Sequence, residues 1–219
     1  MGYILNIETA TKNCSVCVAK EGTVLSLREY AGEGYAHAEK LHVFIEEVLK
    51  EAGITYSVLD AVAISMGPGS YTGLRIGVSA AKGLCYALSI PLIAVDTLEA
   101  LARQIEVQDG VIIPMIDARR MEAYTAVFDS KHQKIRETKA EIITEDSFSD
   151  LEGTIYLVGD GAAKCKGVLP EGKFVFRDDI IYPSSAEMAG VSFDRYKKSD
   201  TVDVAYFEPF YLKDFLIAK

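Results

Sequence analysis

The stretch "AISMGPGSYTGLRIGVSAAKGLCYA", residues 63–87, joins a short apolar run to a long helical pattern through a glycine-rich loop. This order predicts a strand at 61–65, a turn around Gly67 and Gly69, and a helix over 72–88. Loops of this kind often hold a phosphate at the helix start. This loop matches neither G-x-x-x-x-G-K-[ST] nor G-x-G-x-x-G, and it contains no lysine. The sequence therefore favours close packing or docking over phosphate binding.

The predicted helix has one side with little side-chain bulk. Its residues recur at steps of three and four along the helix: Gly73, Gly77, Ala80, Ala81 and Leu84. A glycine inside a helix costs up to about 1 kcal/mol relative to alanine. Gly77 therefore indicates that another backbone comes close. That backbone belongs either to the protein's own sheet or helix, or to a helix of another subunit.

Composition narrows the class of protein. The 219 residues are 49% hydrophobic and 25% charged, with a formal net charge of −9. A chain this acidic is a poor candidate for binding nucleic acid alone, because phosphates need a basic face. The sequence shows neither a signal-peptide pattern nor a run apolar enough for a membrane helix, which predicts a cytoplasmic protein without membrane contact.

The four cysteines are expected to be buried thiols. Cys14 and Cys17 form a C-x-x-C pair on a predicted strand, where side chains three apart point to opposite faces. A second pair that would complete a four-ligand zinc site is missing. Cys85 and Cys165 stand alone and are expected in the core.

The chain repeats its own beginning. Residues 3–29, "YILNIETATKNCSVCVAKEGTVLSLRE", align in pattern with residues 111–137, "VIIPMIDARRMEAYTAVFDSKHQKIRE". Each copy has an apolar strand that ends in an acid, Glu8 or Asp117, followed by a hairpin. A helix is predicted at 36–52 in the first half only. We therefore expect a duplicated α/β fold with two packed lobes, the second reduced. The predicted lobes comprise the following ranges: 1–105 and 106–219.

Five stretches together resemble the TsaB (YeaZ) family: "GPGSYTGLRIGVSAAKGL", "ILNIETATKNCSVCVA", "IPLIAVDTLEALA", "DARRMEAYTAVF" and "EPFYLKD". The resemblance spans nearly the whole chain. It implies the ASKHA fold of actin, hexokinase and Hsp70, which is a duplicated ribonuclease H-like fold whose mixed sheets are flanked by helices.

The resemblance also implies a function. The chain would be a non-catalytic, essential partner of TsaD, which transfers threonylcarbamoyl to N6 of adenosine 37 in tRNAs that read ANN codons. The implied assembly is a heterodimer with TsaD that the ATPase TsaE joins, and a homodimer is the other implied form. Contact with tRNA would be indirect, and no cofactor is expected. The alternative is an ASKHA-type ATPase or kinase, or a metallopeptidase-like enzyme.

By the same resemblance, the two N-lobe helices form the docking surface. The implied partner interface consists of these residues: His37, Leu41, Gly73, Leu74, Gly77, Ala80, Ala81 and Leu84. A bulky charged change such as Gly77→Glu is then expected to abolish pairing and leave the monomer folded.

Residues suited to catalysis are scarce. His37 and His42 are five apart on a predicted helix, so they project about 140° apart and cannot share one metal ion. His132 falls in a predicted turn. The sequence therefore predicts no metal site built from histidine.

The cleft expected of an ASKHA nucleotide site has the wrong residues. The turns after Glu8 and Asp117 lack glycine. Arg119 and Arg120 are expected to pair with nearby acids such as Glu122 rather than with phosphate. "GDGAAK" at 159–164 needs Gly159 and Gly161 for a strand-to-helix turn in any case, and Lys164 is expected to be solvated. We interpret the cleft as vestigial, with these residues left in it: Glu8, Asp117, Arg119, Gly159 and Gly161.

Overall fold

The computed structural model describes residues 2–32 and 36–212. The end of the "EPFYLKD" stretch, from residue 213 on, lies outside the described residues. Two compact units are present. The first combines residues 1–97 with 184–219, and the second spans 98–183.

The first unit is built on a five-stranded sheet with the order β3-β2-β1-β4-β5. Its strands are β1 Tyr3–Glu8, β2 Cys14–Lys20, β3 Thr23–Tyr30, β4 Ala61–Ser65 and β5 Leu92–Val95. Strands β1, β2 and β3 are antiparallel neighbours, whereas β1, β4 and β5 run parallel. Its helices are α1 His37–Glu51, α2 Tyr71–Leu88 and a C-terminal helix, Ser185–Lys197; a 3-10 turn lies at Tyr56–Val58.

The two faces of this sheet differ in chemistry, because strand side chains alternate. Leu5 and Ile7 of β1 join the apolar core that α1 and α2 cover. Asn6 points the other way and accepts a hydrogen bond from Ser192 Oγ of the C-terminal helix, at 2.7 Å. The helices thus lie on opposite sides of the sheet.

The second unit repeats the topology, with the order β10-β9-β6-β7-β8. Helix α3 spans Thr97–Ala102, and the strands are β6 Val111–Asp117, β7 Glu122–Asp129, β8 Lys134–Ile142, β9 Ile155–Val158 and β10 Phe174–Phe176. The pattern of parallel and antiparallel pairs is the same as in the first sheet. The predicted duplication is therefore confirmed, and β1 corresponds to β6.

The second unit has fewer helices, as predicted. Between β8 and β10, residues 143–173 are all described, and besides β9 their only regular element is a 3-10 turn at Ala163–Cys165. The first unit has α1 and α2 in the corresponding connections.

The division between the units differs from the predicted lobes at 105/106. The C-terminal helix Ser185–Lys197, α4, belongs to the first unit, because it packs on the first sheet. Ser185 N–H donates to Ser15 Oγ of β2 at 2.9 Å. The sequence analysis overlooked α4, although Ser184 and Glu187 have the spacing of a capping box and Ser184 Oγ accepts from Ala186 N–H.

Among the described residues, no helix is long and apolar enough to cross a membrane. All four cysteines are buried and unpaired with one another, as predicted.

Candidate functional site

Most of the predicted interface lies inside the first unit. Six of its eight residues are buried: His37, Leu41, Gly73, Leu74, Gly77 and Ala81. Only Ala80 and Leu84 are partly exposed. The predicted set is therefore corrected: residues packed against their own sheet cannot form a surface for a partner.

The glycines of α2 approach the protein's own backbone. A Cβ atom at Gly73 would lie 2.1 Å from the carbonyl oxygen of Thr9, and one at Gly77 would lie 2.2 Å from Thr9 Oγ1. Real Cβ atoms do not make contacts this short, so only glycine fits. The close neighbour of both glycines therefore lies in the same chain, at Thr9 directly after β1.

The glycine loop uses its own amide groups internally. Gly67 N–H donates to Thr97 Oγ1 at 3.0 Å, and Ser70 N–H donates to Ala10 O at 2.6 Å. Ser70 Oγ in turn caps α2 by accepting from Gly73 N–H. Phosphate binding at a helix start needs free amide groups, and these three are occupied.

The outward side of α2 carries a second row of small residues. Ser79, Gly83 and Ala87 follow one another at steps of four and are exposed. A Cβ atom at Gly83 would meet nothing within 4 Å. Gly83 is therefore a helix glycine that no internal contact requires. The same i, i+4, i+8 spacing is visible in the sequence, but the sequence analysis considered only the side of the helix with Gly73 and Gly77.

The same two helices carry large exposed apolar side chains. Tyr86 of α2 is 85% exposed and Val43 of α1 is 50% exposed. Isolated exposed hydrophobics are common, whereas contiguous apolar patches mark interaction surfaces. We call Val43, Ser79, Gly83, Tyr86 and Ala87 the outward face.

A C-terminal segment packs along one flank of α2. Lys82 Nζ donates to the carbonyl oxygens of Ala205 and Phe207, both at 3.0 Å. Nearer the helix start, the Tyr71 and Tyr211 rings lie 5.2 Å apart. The described part of this segment thus covers this flank, whereas the residues of the outward face on α2 are exposed within the described chain.

Glu8 ends β1 in complete burial. Its Oε1 accepts from Ala10 N–H at 2.5 Å, whereas Oε2 has no hydrogen-bond partner among the described residues. Burial raises the pKa of Glu8 to about 7, and the hydrogen bond from Ala10 N–H acts in the opposite direction. A carboxyl in this setting is poorly suited to hold a metal ion, because it is buried and a large fraction of it is uncharged at neutral pH.

Asp117 ends β6 in different surroundings. Its carboxylate forms an ion pair with Lys164 and accepts from Arg119 N–H at 3.0 Å. Lys164 also donates to Glu122 O at 2.7 Å. The expectation that Lys164 is solvated was wrong, because this ammonium supplies the positive charge beside Asp117. Arg119 contributes its backbone amide to Asp117, and the pairing of Arg119 and Arg120 with acids such as Glu122 stays a prediction.

The two glycines of the 159–164 loop serve packing. A Cβ atom at Gly159 would lie 2.2 Å from Met115 O, and one at Gly161 would lie 3.0 Å from the backbone of Met115 and Ile116. Neighbouring Asp160 accepts from Asp117 N–H at 2.9 Å, and its pKa is raised, mainly by burial.

The histidines serve structural roles. His37 Nε2 donates to Thr11 O at 2.8 Å and His132 Nε2 donates to Ile105 O at 2.9 Å, since a carbonyl oxygen only accepts. Across residues 2–32 and 36–212, no group of three or more His, Cys, Asp or Glu side chains could hold a metal ion.

The chain is similar in sequence to known proteins. The family model for TsaD, tRNA N6-adenosine threonylcarbamoyltransferase, matches residues 33–207. The tRNA threonylcarbamoyladenosine biosynthesis protein TsaB of Escherichia coli K12 is 30% identical over 220 residues, which covers 96% of this chain and 94% of that protein.

Solved structures agree on the fold. A Pseudomonas aeruginosa protein with similarity to peptidase YeaZ superposes with a TM-score of 0.83 at 24% identity, covering 97% of this chain and 100% of that one. The activator of 2-hydroxyisocaproyl-CoA dehydratase from Clostridium difficile, solved with bound ADPNP, gives a TM-score of 0.50 at 10% identity, covering 90% and 97%.

The duplicated sheets and these neighbours show an α/β protein with an ASKHA-like fold. Within that class, the relatives that match nearly the whole chain are TsaB proteins, and the model for the related transferase matches most of it. The chain belongs to the TsaB (YeaZ) family.

Proposed function

We propose that this chain acts in the biosynthesis of threonylcarbamoyladenosine in tRNA as a non-catalytic partner of TsaD. In this role TsaD transfers the threonylcarbamoyl group to adenosine 37 of tRNAs that read ANN codons. The names of the full-length relatives support the pathway. The match to the TsaD family model over residues 33–207 supports TsaD as a partner of related sequence.

The observation that carries the partner role is the outward face. It replaces the predicted interface, whose glycines are used internally. Small residues at steps of four allow a second helix to approach closely, and the exposed side chains of Tyr86 on α2 and Val43 on α1 add apolar area. Ala80 and Leu84, which remain partly exposed, lie on the same helix as the small residues.

The acids at the strand ends support a role without phosphoryl transfer. Glu8 is buried with a raised pKa, and Asp117 is paired with Lys164. Handling a nucleotide and its metal needs charged, accessible carboxylates. The ATPase, kinase or metallopeptidase alternative therefore gains no support from these residues.

The wider assembly follows the same reasoning. We propose that TsaE joins the pair, that two copies of this chain use the outward face when TsaD is absent, and that tRNA is held mainly by TsaD. The net charge of −9 supports the last point, because an acidic chain repels the phosphate backbone.

An omission assay tests the proposal. The adenylate synthase, TsaD and TsaE of the same organism are combined with tRNA, ATP, bicarbonate and labelled threonine, with and without this chain. We expect label in tRNA only when the chain is present, and none when TsaD is left out. Equal labelling without the chain would contradict the proposal.

A further inference from the structure

The turn after β1, residues 8–11, is fastened to α2 at two points. Thr9 Oγ1 donates to Gly73 O at 2.8 Å. Ala10 O accepts from Ser70 N–H, the residue that caps α2, at 2.6 Å. Gly73 lies so close to Thr9 that a methyl group on Gly73 would overlap with the Thr9 carbonyl oxygen. A shift of this turn therefore displaces the start of α2.

The same turn is fastened to α1. Thr11 O accepts from His37 Nε2–H at 2.8 Å, and His37 is the first residue of α1 and only 1% exposed. Thus each of the three residues that follow Glu8 holds one of the two helices that carry the outward face.

Glu8 sits at the root of this turn with an incomplete hydrogen-bond set. Its Oε1 holds Ala10 N–H, but buried Oε2 has no partner, and the Ser65 hydroxyl on β4 also lacks a well-formed hydrogen bond. Burying an ionised carboxylate whose oxygen has no hydrogen-bond partner costs free energy. In the protonated form the carboxyl is neutral and that oxygen carries an O–H group that can donate. Ionisation therefore favours movement of the turn toward solvent or toward new donors.

We propose that the turn at residues 8–11 couples the protonation of Glu8 to the geometry of α1 and α2, so that pairing with TsaD weakens as pH rises. This inference rests on the proposed function, because it assigns a proton-linked control to the same docking helices.

The other titratable groups on elements packed against β1 respond differently. On β2, the pKa of Cys14 is raised to about 11, mainly by burial, so the thiol stays neutral. On α1, burial lowers the pKa of His37, which keeps its ring neutral as pH rises. Lys40 of α1 lies over the Tyr30 ring, 4.3 Å from its centre.

Two carboxyl groups come from other elements. Glu29 of β3 accepts from Asn13 at 3.2 Å. Glu187 of α4 has its pKa raised by burial. From α2 and β4, the facing residues Gly73, Gly77 and Ser65 do not titrate. Glu187 is therefore the matched control for Glu8, since it is a partly buried carboxyl on an element that packs on β1 without being part of the turn.

The test measures the affinity of the full chain for TsaD by calorimetry between about pH 6 and about pH 8.5. For one group that titrates near 7, the wild-type dissociation constant rises by up to about thirtyfold across this range. We expect Glu8→Gln to remove that rise and Glu187→Gln to keep it. The difference between wild type and Glu8→Gln cancels titration within TsaD itself.

A second variant guards against misfolding of Glu8→Gln. Although the Ser65 hydroxyl makes no well-formed hydrogen bond, it lowers the pKa of Glu8, so Ser65→Ala is expected to move the midpoint of the pH dependence upward. A wild-type profile that matches both Glu8→Gln and Ser65→Ala would overturn the coupling while leaving the partner role intact. Absence of pairing at every pH, for every variant, would instead overturn the proposed function on which the inference rests.

Discussion

Glu8 and Asp117 end corresponding strands of the two sheets, yet their carboxyl groups have opposite surroundings. Glu8 is fully buried, forms no ion pair with any residue that the structure describes, and has its pKa raised to about 7. Asp117 is half exposed and paired with Lys164. Both units thus have an acid at the end of the corresponding strand. Glu8 holds the turn that contacts α1 and α2, whereas Asp117 holds the 159–164 loop through its ion pair with Lys164.

The largest expected effect breaks the packing above Glu8. Gly73→Ala places a methyl group against Thr9 O, a backbone atom that cannot turn aside. We expect the free energy of unfolding to fall by about 3 kcal/mol, the upper part of the range for overpacked cores. Urea unfolding measures it. The matched control is Gly83→Ala on the other side of the same helix, where nothing is crowded.

The next largest effect is the pH dependence of stability that Glu8 causes. Because the folded-state pKa of Glu8 is raised from 4.5 to about 7, its contribution to stability is complete below about pH 4.5. It is lost as pH rises through 7. A shift of this size corresponds to at most about 3 kcal/mol.

Thermal unfolding of wild type and Glu8→Gln across this window checks the sign. We expect the stability difference between the two proteins to change progressively with pH, because the wild type becomes less stable relative to Glu8→Gln as pH rises. A difference that stays constant from acid to neutral pH would show that Glu8 ionises in the folded protein as it does in the unfolded chain.

A smaller effect is expected in the second unit. Lys164→Met removes the ammonium beside Asp117, but this carboxylate is 47% exposed and can be hydrated. Pairs of this kind contribute below about 1 kcal/mol. Chemical denaturation should therefore show a modest loss that shrinks further in high salt. A loss of unfolding free energy as large as that of Gly73→Ala would contradict the expected difference between the two strand ends.

The smallest effect has the opposite sign. Gly83→Ala adds a methyl group on the outward face, where the Cβ position is open, so helix propensity alone decides the outcome. The monomer should gain up to about 1 kcal/mol. A destabilised Gly83→Ala monomer would show that an internal contact does require this glycine.

Much of the fold could be predicted from the sequence. Alternation and helical spacing located β1 to β5, α1 and α2, and the repeated strand–hairpin pattern predicted the duplication. Helix α4 was missed because its pattern is weakly amphipathic, and its packing on the first sheet depends on contacts between residues far apart in the chain, such as Ser185 with Ser15.

The site was harder to predict. Spacing showed that Gly73 and Gly77 need a close neighbour, but it could not show that Thr9 is that neighbour, since this depends on where the β1 turn lies. The role of Lys164 was missed for the same reason, because Asp117 is 47 residues away along the chain. The burial of Glu8 likewise follows from tertiary packing rather than from its neighbours in sequence.

The most direct test of the partner role is the pairing of TsaD with Gly83→Glu, compared with wild type by calorimetry, after circular dichroism has confirmed that the variant is folded. Gly83→Glu places a charged side chain on the outward face without touching the core. We predict that the folded variant loses measurable pairing. Wild-type affinity in a folded Gly83→Glu chain would contradict the outward face as the docking surface and, with it, the partner role argued from that face.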